Sequence, residues 1–251
     1  MPEIRPRWWI GKRVSVNFLF APARQFWCNR LPTLEKMIME GKAVTGNWSS
    51  MVATTGVALL WAATMSQAAD NLAPLEIKLP VPTFIGTLAE IPMNEHIEKP
   101  SDKPRPPFMA PAGTKLLSLN KPVTTSDKKP INGTPDLVTD GIAEAGDANV
   151  LELHRKLQWV QIDLEKAAKV YAVLVWHAHD TPQICKDVIV QVADDADFTT
   201  NVRTLYNNDY DNSAGLGVGK DKEYFENYEG RLIDAKGEKG RYLRLYSQGS
   251  T

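Results

Sequence analysis

The sequence contains very little cysteine and no excess of charge of either sign. Cys28 and Cys185 are the only cysteines among 251 residues, so it has neither a disulfide framework nor a cysteine cluster with metal-ligand spacing. Its 29 basic and 30 acidic residues leave a formal net charge of -1. This balance argues against a polycation that binds nucleic acid and against an acidic tail. With 43% hydrophobic residues, the chain is long enough to bury one full core.

The short motifs that mark common catalytic sites are also missing. The sequence has no internal repeat, no Gly-rich phosphate-binding loop and no helical HExxH zinc motif. No set of nucleophile, base and orienting residue can be assembled from it. We therefore expect a protein that is not an enzyme.

An uncharged stretch from Gly46 to Ala69 stands out near the N-terminus. Its apolar run is followed by the small residues Ser66 and Ala68, as in a secretory signal peptide cleaved after Ala68. The run also approaches the ~20 residues that a membrane span needs, so an uncleaved anchor is the alternative. We predict that residues 1–69 form a leader. The protein is then secreted, periplasmic or on the cell surface, with no membrane insertion after cleavage.

Proline is dense between residues 70 and 113. Because proline fixes φ and removes a backbone donor, this segment is predicted to be an extended linker rather than a packed domain. Its apolar pieces, residues 77–85 and 108–109, are expected to lie against the domain that follows. His96 falls within the linker and is expected to be solvated.

From Thr114 onward, apolar and polar residues alternate, which is typical of strands with one face in a core. Val160, Ile162 and Leu164 share one face of WVQIDL, whereas KVYAVLVWHAH is apolar on both faces, as in a central strand. Further strands are predicted in KDVIVQVADD, GRYLRLYSQ, KLLSLNKPVTTS and NVRTLYNND. Clusters of Gly, Asn, Asp and Pro separate them, without a convincing amphipathic helix. Residues 114–251 are therefore predicted to form an all-β antiparallel sandwich.

Five of these segments resemble a known family in order and spacing: LNKPVTTS, VTDGI, WVQIDLEKAAKVYAVLVW, DVIVQVADDADF and GRYLRLYS. They resemble the discoidin-like, or coagulation factor 5/8 C-terminal type, domain of the galactose-binding-like superfamily, in a form found in exported bacterial proteins. The resemblance implies an eight-stranded jelly-roll sandwich whose loops at one end bind ligands, often glycans, without catalysis. Members usually continue into a last strand where this sequence has QGST, so we expect either a fragment or an open sheet edge.

The resemblance also implies a structural calcium ion. In the family, its ligands are the Asp of a DG turn, backbone carbonyls, a hydroxyl and a Glu of the last strand. Asp140 and Gly141 match the turn, but the hydroxyl position falls on Ala145 and the Glu is absent, which leaves a partial oxygen cage. The alternative is that Asp140 and Gly141 only form the turn. No other cofactor is expected.

Asp163, His177 and His179 lie in the most strongly patterned stretch. The resemblance implies that the carboxylate at Asp163 is structural and accepts hydrogen bonds from a neighbouring loop. His177 and His179 are two residues apart on one strand face, which suits a metal or a sugar hydroxyl, although the sequence indicates no third ligand. A solvated strand end is the alternative for both. His154 is expected to lie in a loop.

Two loops carry the groups that sugar recognition requires, namely planar amides or carboxylates for hydroxyls and an aromatic face for the ring. In residues 205–221 these groups are Tyr206, Asn207, Asn208, Asp209, Tyr210, Asp211 and Asn212. In residues 224–241 they are Tyr228 and Arg231, and Arg231 also suits an anionic group. We predict that these nine residues bind the ligand. For the first loop, the alternative is that Asn, Asp and Gly only build turns.

Three functions follow from these patterns. The leading one is a secreted, non-catalytic binding module for carbohydrate, whose partner is a glycan. The second is a structural or adhesive envelope protein that binds another protein. The third is a glycoside hydrolase that uses Asp209, Asp211 or Glu229, but such chemistry needs carboxylates that face one another across a substrate, which proximity in sequence does not provide.

Overall fold

The computed structural model describes residues 12–20, 71–83, 93–101 and 103–248, and these residues form almost only β-structure. The strands are β1 (Lys12–Phe20), β2 (Leu72–Pro74), β3 (Met109–Pro111), β4 (Lys115–Leu116), β5 (Val123–Thr125), β6 (Leu151–Leu153), β7 (Gln158–His177), β8 (Ile184–Cys185), β9 (Ile189–Ala193), β10 (Arg203–Asn207), β11 (Tyr224–Phe225) and β12 (Arg231–Ser247). Two short 3-10 turns, Pro135–Val138 and Asp147–Asn149, lie between β5 and β6. The signal-like stretch lies outside the described residues. Within them, the structure contains no helix with the length and hydropathy of a membrane span.

Eight of the strands form one antiparallel sheet in the order β10-β9-β12-β7-β1-β4, with β5 also beside β7 and β6 also beside β1. Two small sheets accompany it, in which β11 pairs with β8 and β2 pairs with β3. The prediction of an all-β antiparallel fold is confirmed.

The two longest strands, β7 and β12, form the centre of the sheet. They pair from Gln158 opposite Ser247 to Val175 opposite Arg231, with register shifts near Gly240 and between Asp234 and Glu238. The sequence predicts two strands within β7, but the structure has one strand of 20 residues that continues through Glu165. It also places β12 over residues 231–247, so most of the second predicted binding loop is strand.

The main core follows the predicted faces. Val160, Ile162 and Leu164 of β7 pack with Leu243 and Leu245 of β12, and all five side chains are buried. Such a seam of aliphatic side chains removes apolar surface from water, which is the main favourable term in folding.

The second half of β7 is covered on both faces, as the sequence predicts. Val173 and Val175 face the main core. Leu174 and Trp176, on the opposite face, pack in a second cluster against Ile77 of the proline-rich segment. This apolar piece of the predicted linker therefore lies against the sandwich.

Strand β1 was not anticipated from the sequence. It lies within residues 1–69 and pairs with β7 from Val14 opposite His177 to Leu19 opposite Ala172, and also with β4 and β6. It thus occupies a position beside β7 and beside β4, the first strand of the predicted domain. The period-two alternation in RVSVNF is the signal that could have indicated it. The predicted domain boundaries stay predictions.

The proline-rich segment is held to the sandwich by backbone hydrogen bonds. Glu98 N donates to Glu223 O over 2.8 Å, and Glu223 N donates to His96 O over 2.9 Å. Ile97 between them is buried. The imidazole of His96 stacks on the Tyr210 ring, with centroids 3.9 Å apart, and the side chain remains 37% exposed, so this histidine is partly solvated.

Candidate functional site

A cleft of about 600 Å³ lies between the proline-rich segment and the connection from β11 to β12. Its volume falls within the range of small-molecule binding sites. Charged residues from both sides line it, namely Glu98 and Arg105 on one and Glu229 and Arg231 on the other. The lining also contains three aromatic residues, Tyr224, Phe225 and Tyr228. The cleft therefore combines planar polar groups with aromatic faces.

Arg231, the first residue of β12, is the central cation of this cleft. Its guanidinium carbon lies 5.2 Å from the centroid of the Tyr206 ring and 5.1 Å from that of Tyr224. Its Nη1 is paired with the Glu98 carboxylate. Its Nε is buried and has no hydrogen-bond partner within the described part of the chain. The two rings and the carboxylate hold the guanidinium in place, and cation–π contacts of this kind strengthen with desolvation.

The β11–β12 connection forms the cleft wall opposite the proline-rich segment, and it is hydrogen-bonded both to that segment and to the main sheet. The Arg105 backbone N–H donates to both carboxylate oxygens of Glu229, at 3.4 and 3.2 Å, and its Nη1 donates to Gly230 O over 2.8 Å. From the sheet, Trp176 Nε1 donates to Tyr228 O over 3.0 Å. The Tyr228 backbone is therefore tied to a buried side chain of β7, and the Glu229 carboxylate is occupied by a backbone donor.

A buried polar cluster adjoins the cleft. His177, the last residue of β7, lies with its Nδ1 3.0 Å from Glu226 Oε2, and its backbone N–H donates to the same oxygen over 2.9 Å. Cys185 Sγ lies 3.5 Å from His177 Nδ1 and 3.7 Å from Glu226 Oε2. Tyr224 Oη is 3.4 Å from His177 Nδ1. Burial raises the pKa of the Cys185 thiol well above its ordinary value, and the Glu226 charge adds to this effect.

The two histidines of the patterned stretch do not share a site. His177 faces Glu226, whereas His179 Nε2 donates to Ala143 O over 2.8 Å. The side chains are 5% and 2% exposed, so the alternative of a solvated strand end is wrong. The side chain that lies close to His177, in place of His179, is that of Cys185 in β8.

Four of the predicted ligand-binding residues, the last two of β10 and the first two of the loop after it, are buried and hydrogen-bonded. Tyr206 Oη donates to Lys222 O over 2.6 Å, and Asn207 Nδ2 donates to Gly217 O over 2.9 Å. Asn208 Nδ2 donates to Cys185 O, and the Asp209 carboxylate accepts the backbone N–H groups of Ser213 and Ala214. These contacts match the alternative in which polar residues build turns. Their role in ligand binding stays a prediction.

Three further predicted residues, Tyr210, Asp211 and Asn212, are exposed at the tip of the same loop. Asp211 Oδ1 accepts the Ser213 N–H, and Asn212 Oδ1 accepts the Gly217 N–H. None of the three lines the cleft. Of the nine predicted residues, Tyr228 and Arg231 therefore line the cleft, and Tyr206 lies against the Arg231 guanidinium. The other six belong to the end of β10 or to the loop after it, whose exposed tip is a different surface.

An acidic group connects this loop with Asp187, which precedes β9. Carboxylate oxygens of Asp187, Asp209 and Asp211 are within 4.8 Å of one another. Burial raises the pKa of Asp187 to about 6, and the charges of Asp209 and Asp211 contribute. Three carboxylates are the type of ligand that a hard cation prefers, but calcium takes six to eight oxygens.

Asp140 forms the turn that the alternative reading predicts. Its Oδ1 accepts the Ile142 N–H over 2.8 Å, and burial raises the pKa of the carboxyl group. In the described ranges it does not belong to a group of three close His, Cys or acidic ligands. Calcium at Asp140 stays a prediction.

Asp163 has the structural role implied by the resemblance. Its carboxylate accepts two hydrogen bonds from Arg241, from Nε at 2.7 Å and from Nη2 at 2.8 Å. These bonds lower the pKa of Asp163. The donor belongs to strand β12 rather than to a neighbouring loop.

Comparison with known proteins yields matches among solved structures alone, since no family model and no curated protein matches the sequence. A fucose-binding module of Streptococcus pneumoniae is 18% identical over 56% of this chain and 91% of its own, with a TM-score of 0.36. A CBM32 module of Clostridium perfringens in complex with GlcNAc-α-1,4-galactose is 15% identical over 54% and 79%, with a TM-score of 0.33. A fucolectin from striped bass, Morone saxatilis, is 12% identical over 54% and 45%, with a TM-score of 0.34. The matched structures are discoidin or galactose-binding-like domains, the group that the sequence motifs resemble.

Proposed function

We propose that this protein is an exported, non-catalytic carbohydrate-binding module that binds its ligand in the cleft between the proline-rich segment and the β11–β12 connection. The observation that carries the proposal is the position of Arg231, which lines this cleft and whose guanidinium lies over the Tyr206 and Tyr224 rings and is paired with Glu98. Sugars are recognised by planar hydrogen-bonding groups beside aromatic faces, and Arg231 and Tyr228 supply both.

The state of the carboxylates supports binding without catalysis. Glu229 accepts the Arg105 backbone N–H, and Glu226 is buried and accepts the His177 N–H. A glycosidase needs two carboxyl groups free to face one another across the scissile bond. Both carboxylates are instead engaged in holding the walls of the cleft, and Glu98, the third carboxylate of its lining, is paired with Arg231.

Export is proposed from the sequence, because the uncharged stretch before Ala69 has the order of features found in a signal peptide. The N-terminus of the protein recovered outside the cell is expected to be close to Asp70. Cleavage there also removes β1, so the exported form lacks the strand that pairs with β7 from Val14 to Leu19. Mass spectrometry of that protein can measure its N-terminus. Recovery of residues N-terminal to Asn47 in the exported protein would refute cleavage.

Binding can be tested with the full chain on a glycan array, followed by calorimetric titration of any glycan that binds. Arg231→Gln removes the charge but keeps a planar donor, and loss of a hydrogen bond to a charged group is expected to weaken binding by about 10- to 100-fold. Tyr228→Ala is expected to weaken it as well. The matched control is Asn212→Ala at the loop tip, which leaves affinity unchanged. Thermal unfolding of each variant separates loss of binding from loss of folding.

Three results would contradict the proposal. If Asn212→Ala abolishes binding and Arg231→Gln does not, the loop tip is the ligand site. If the folded protein binds no glycan but retains a protein of the cell envelope, the adhesive function replaces the carbohydrate one. Release of reducing sugar from a bound glycan would show that the protein is catalytic.

A further inference from the structure

The cluster beside the cleft brings together three different metal-ligand types. His177, Cys185 and Glu226 each present one ligand atom, and these atoms lie within 4.8 Å of one another. All three residues are buried. An imidazole nitrogen and a thiolate suit zinc and other borderline or soft cations, whereas calcium and magnesium prefer oxygen alone.

The spacing of the ligand atoms is close to that around a tetrahedral zinc ion. With Zn–S of about 2.3 Å and Zn–N or Zn–O of about 2.1 Å, a tetrahedron has S–N and S–O edges of about 3.6 Å and an N–O edge of about 3.4 Å. The sulfur lies 3.5 Å from His177 Nδ1 and 3.7 Å from Glu226 Oε2. The Nδ1 to Oε2 distance is 3.0 Å, so this edge alone has to open slightly.

Strands and one backbone hydrogen bond position the three residues. His177 ends the central strand β7, and Cys185 of β8 is directly opposite Tyr224 of β11. Glu226 follows the last residue of β11, and its backbone N–H donates to Gln183 O over 3.0 Å. Tyr224 Oη lies 3.4 Å from His177 Nδ1, which makes it a candidate for a fourth ligand.

Zinc binds cysteine as a thiolate, so binding would displace the Cys185 proton. The two positive charges of the ion would then neutralise the Cys185 thiolate and the Glu226 carboxylate, so that the bound site leaves no buried charge unpaired. We propose that His177, Cys185 and Glu226 bind one Zn²⁺ beside the ligand cleft, with Tyr224 at the fourth position. This site is separate from the one predicted at Asp140 and from the acidic group at Asp187.

The proposal is tested with the full chain carrying Cys28→Ser, so that Cys185 is the only thiol. The reduced, metal-free protein is titrated with Co²⁺ and then with Zn²⁺. One Co²⁺ per chain is expected, with the thiolate-to-cobalt charge-transfer band in the near ultraviolet and the intense visible bands of a tetrahedral site. Zn²⁺ is expected to remove these bands and to raise the melting temperature, because it binds the folded state alone.

Variants assign the site. Cys185→Ser is expected to abolish the charge-transfer band, and Glu226→Gln to weaken Zn²⁺ binding by at least about 100-fold, more than loss of a supporting group around a metal site. Asp187→Asn in the acidic group is the matched control and leaves the cobalt spectrum unchanged. Absence of the charge-transfer band in the Cys28→Ser protein itself would overturn the proposal, even if Cys185→Ser does not fold. The proposal would also be overturned if Asp187→Asn removed the cobalt bands and Cys185→Ser retained them.

Discussion

Replacement of Gly230 by alanine tests how the wall of the cleft is built. Gly230 has φ of +64°, and an added Cβ would lie 2.7 Å from Trp176 Nε1 and 2.8 Å from Val175 O. The Val175 oxygen belongs to the backbone of the central strand, and the Trp176 side chain is 1% exposed. Neither neighbour can move without disturbing the core on that face of the sheet.

The expected cost has two parts. A left-handed conformation costs an ordinary residue about 1–2 kcal/mol, and overpacking adds about 1–3 kcal/mol. Gly230→Ala is therefore expected to lower the free energy of unfolding by about 2–5 kcal/mol. Gly215→Ala is the matched control, since Gly215 has φ of +71° and an added Cβ would have no neighbour within 4 Å. Gly215→Ala is expected to lower the free energy of unfolding only by the cost of the left-handed conformation, about 1–2 kcal/mol.

Urea unfolding followed by circular dichroism measures both variants against the unmodified protein. The difference between them isolates the contact with Trp176 and Val175, because both carry the same backbone strain. Equal losses of stability in the two variants would refute the tight packing of the cleft wall on β7.

Further predictions concern a strand pair, a buried hydroxyl and the proposed calcium. Asp163→Asn is expected to destabilise the protein, and a double-mutant cycle with Arg241→Gln shows favourable coupling. Because this bond lowers the pKa of Asp163, its contribution is present near neutral pH and is lost as the pH falls through that lowered value, so coupling that persists in acid contradicts the pairing. Tyr206→Phe removes the bond to Lys222 O and is expected to cost about 1 kcal/mol without changing glycan affinity; a tenfold loss of affinity would instead show that its hydroxyl contacts the ligand. If calcium binds at Asp140, chelation lowers the melting temperature and Asp140→Asn removes that response; an unmoved transition excludes it.

The strands could be predicted from the sequence because alternation is a local signal. Val160 and Ile162 occupy the core face that the period of two indicates, and Leu243 does so on β12. The signal does not report where a strand ends, so the sequence pattern divides β7 in two and assigns the first half of β12 to a loop. Strand β12 pairs with β7 on both sides of Glu165, through Asp163 opposite Tyr242 and Ala168 opposite Gly240, and these are long-range contacts.

The cleft could not be predicted, because it depends on backbone donors that meet residues far away in the sequence. The Arg105 N–H donates to the Glu229 carboxylate, and the Glu98 N–H donates to the Glu223 carbonyl oxygen. Any residue type except proline offers such a donor. Composition also cannot distinguish Asn208, whose side-chain amide is buried and donates to Cys185 O, from an asparagine whose amide faces a ligand.

The cysteine cluster was missed for a related reason. His177 and Cys185 are close in sequence, but Glu226 comes from the far side of the loop after β10. Only the pairing of β8 with β11 brings the carboxylate to the other two. A set of ligands from β7, β8 and the residue after β11 has no fixed spacing in the sequence, in contrast to motifs on one helix or one turn.

The position of β12 between β7 and β9 bears on the order of events as the protein is made. Residues 231–247 are translated after both of their neighbours, yet they complete the hydrogen bonds of both. Until they emerge from the ribosome, β7 and β9 each present an unpaired edge, which is a template for association with other chains. A high contact order of this kind also slows folding. The nascent chain is therefore expected to depend on chaperones until its last long strand is available.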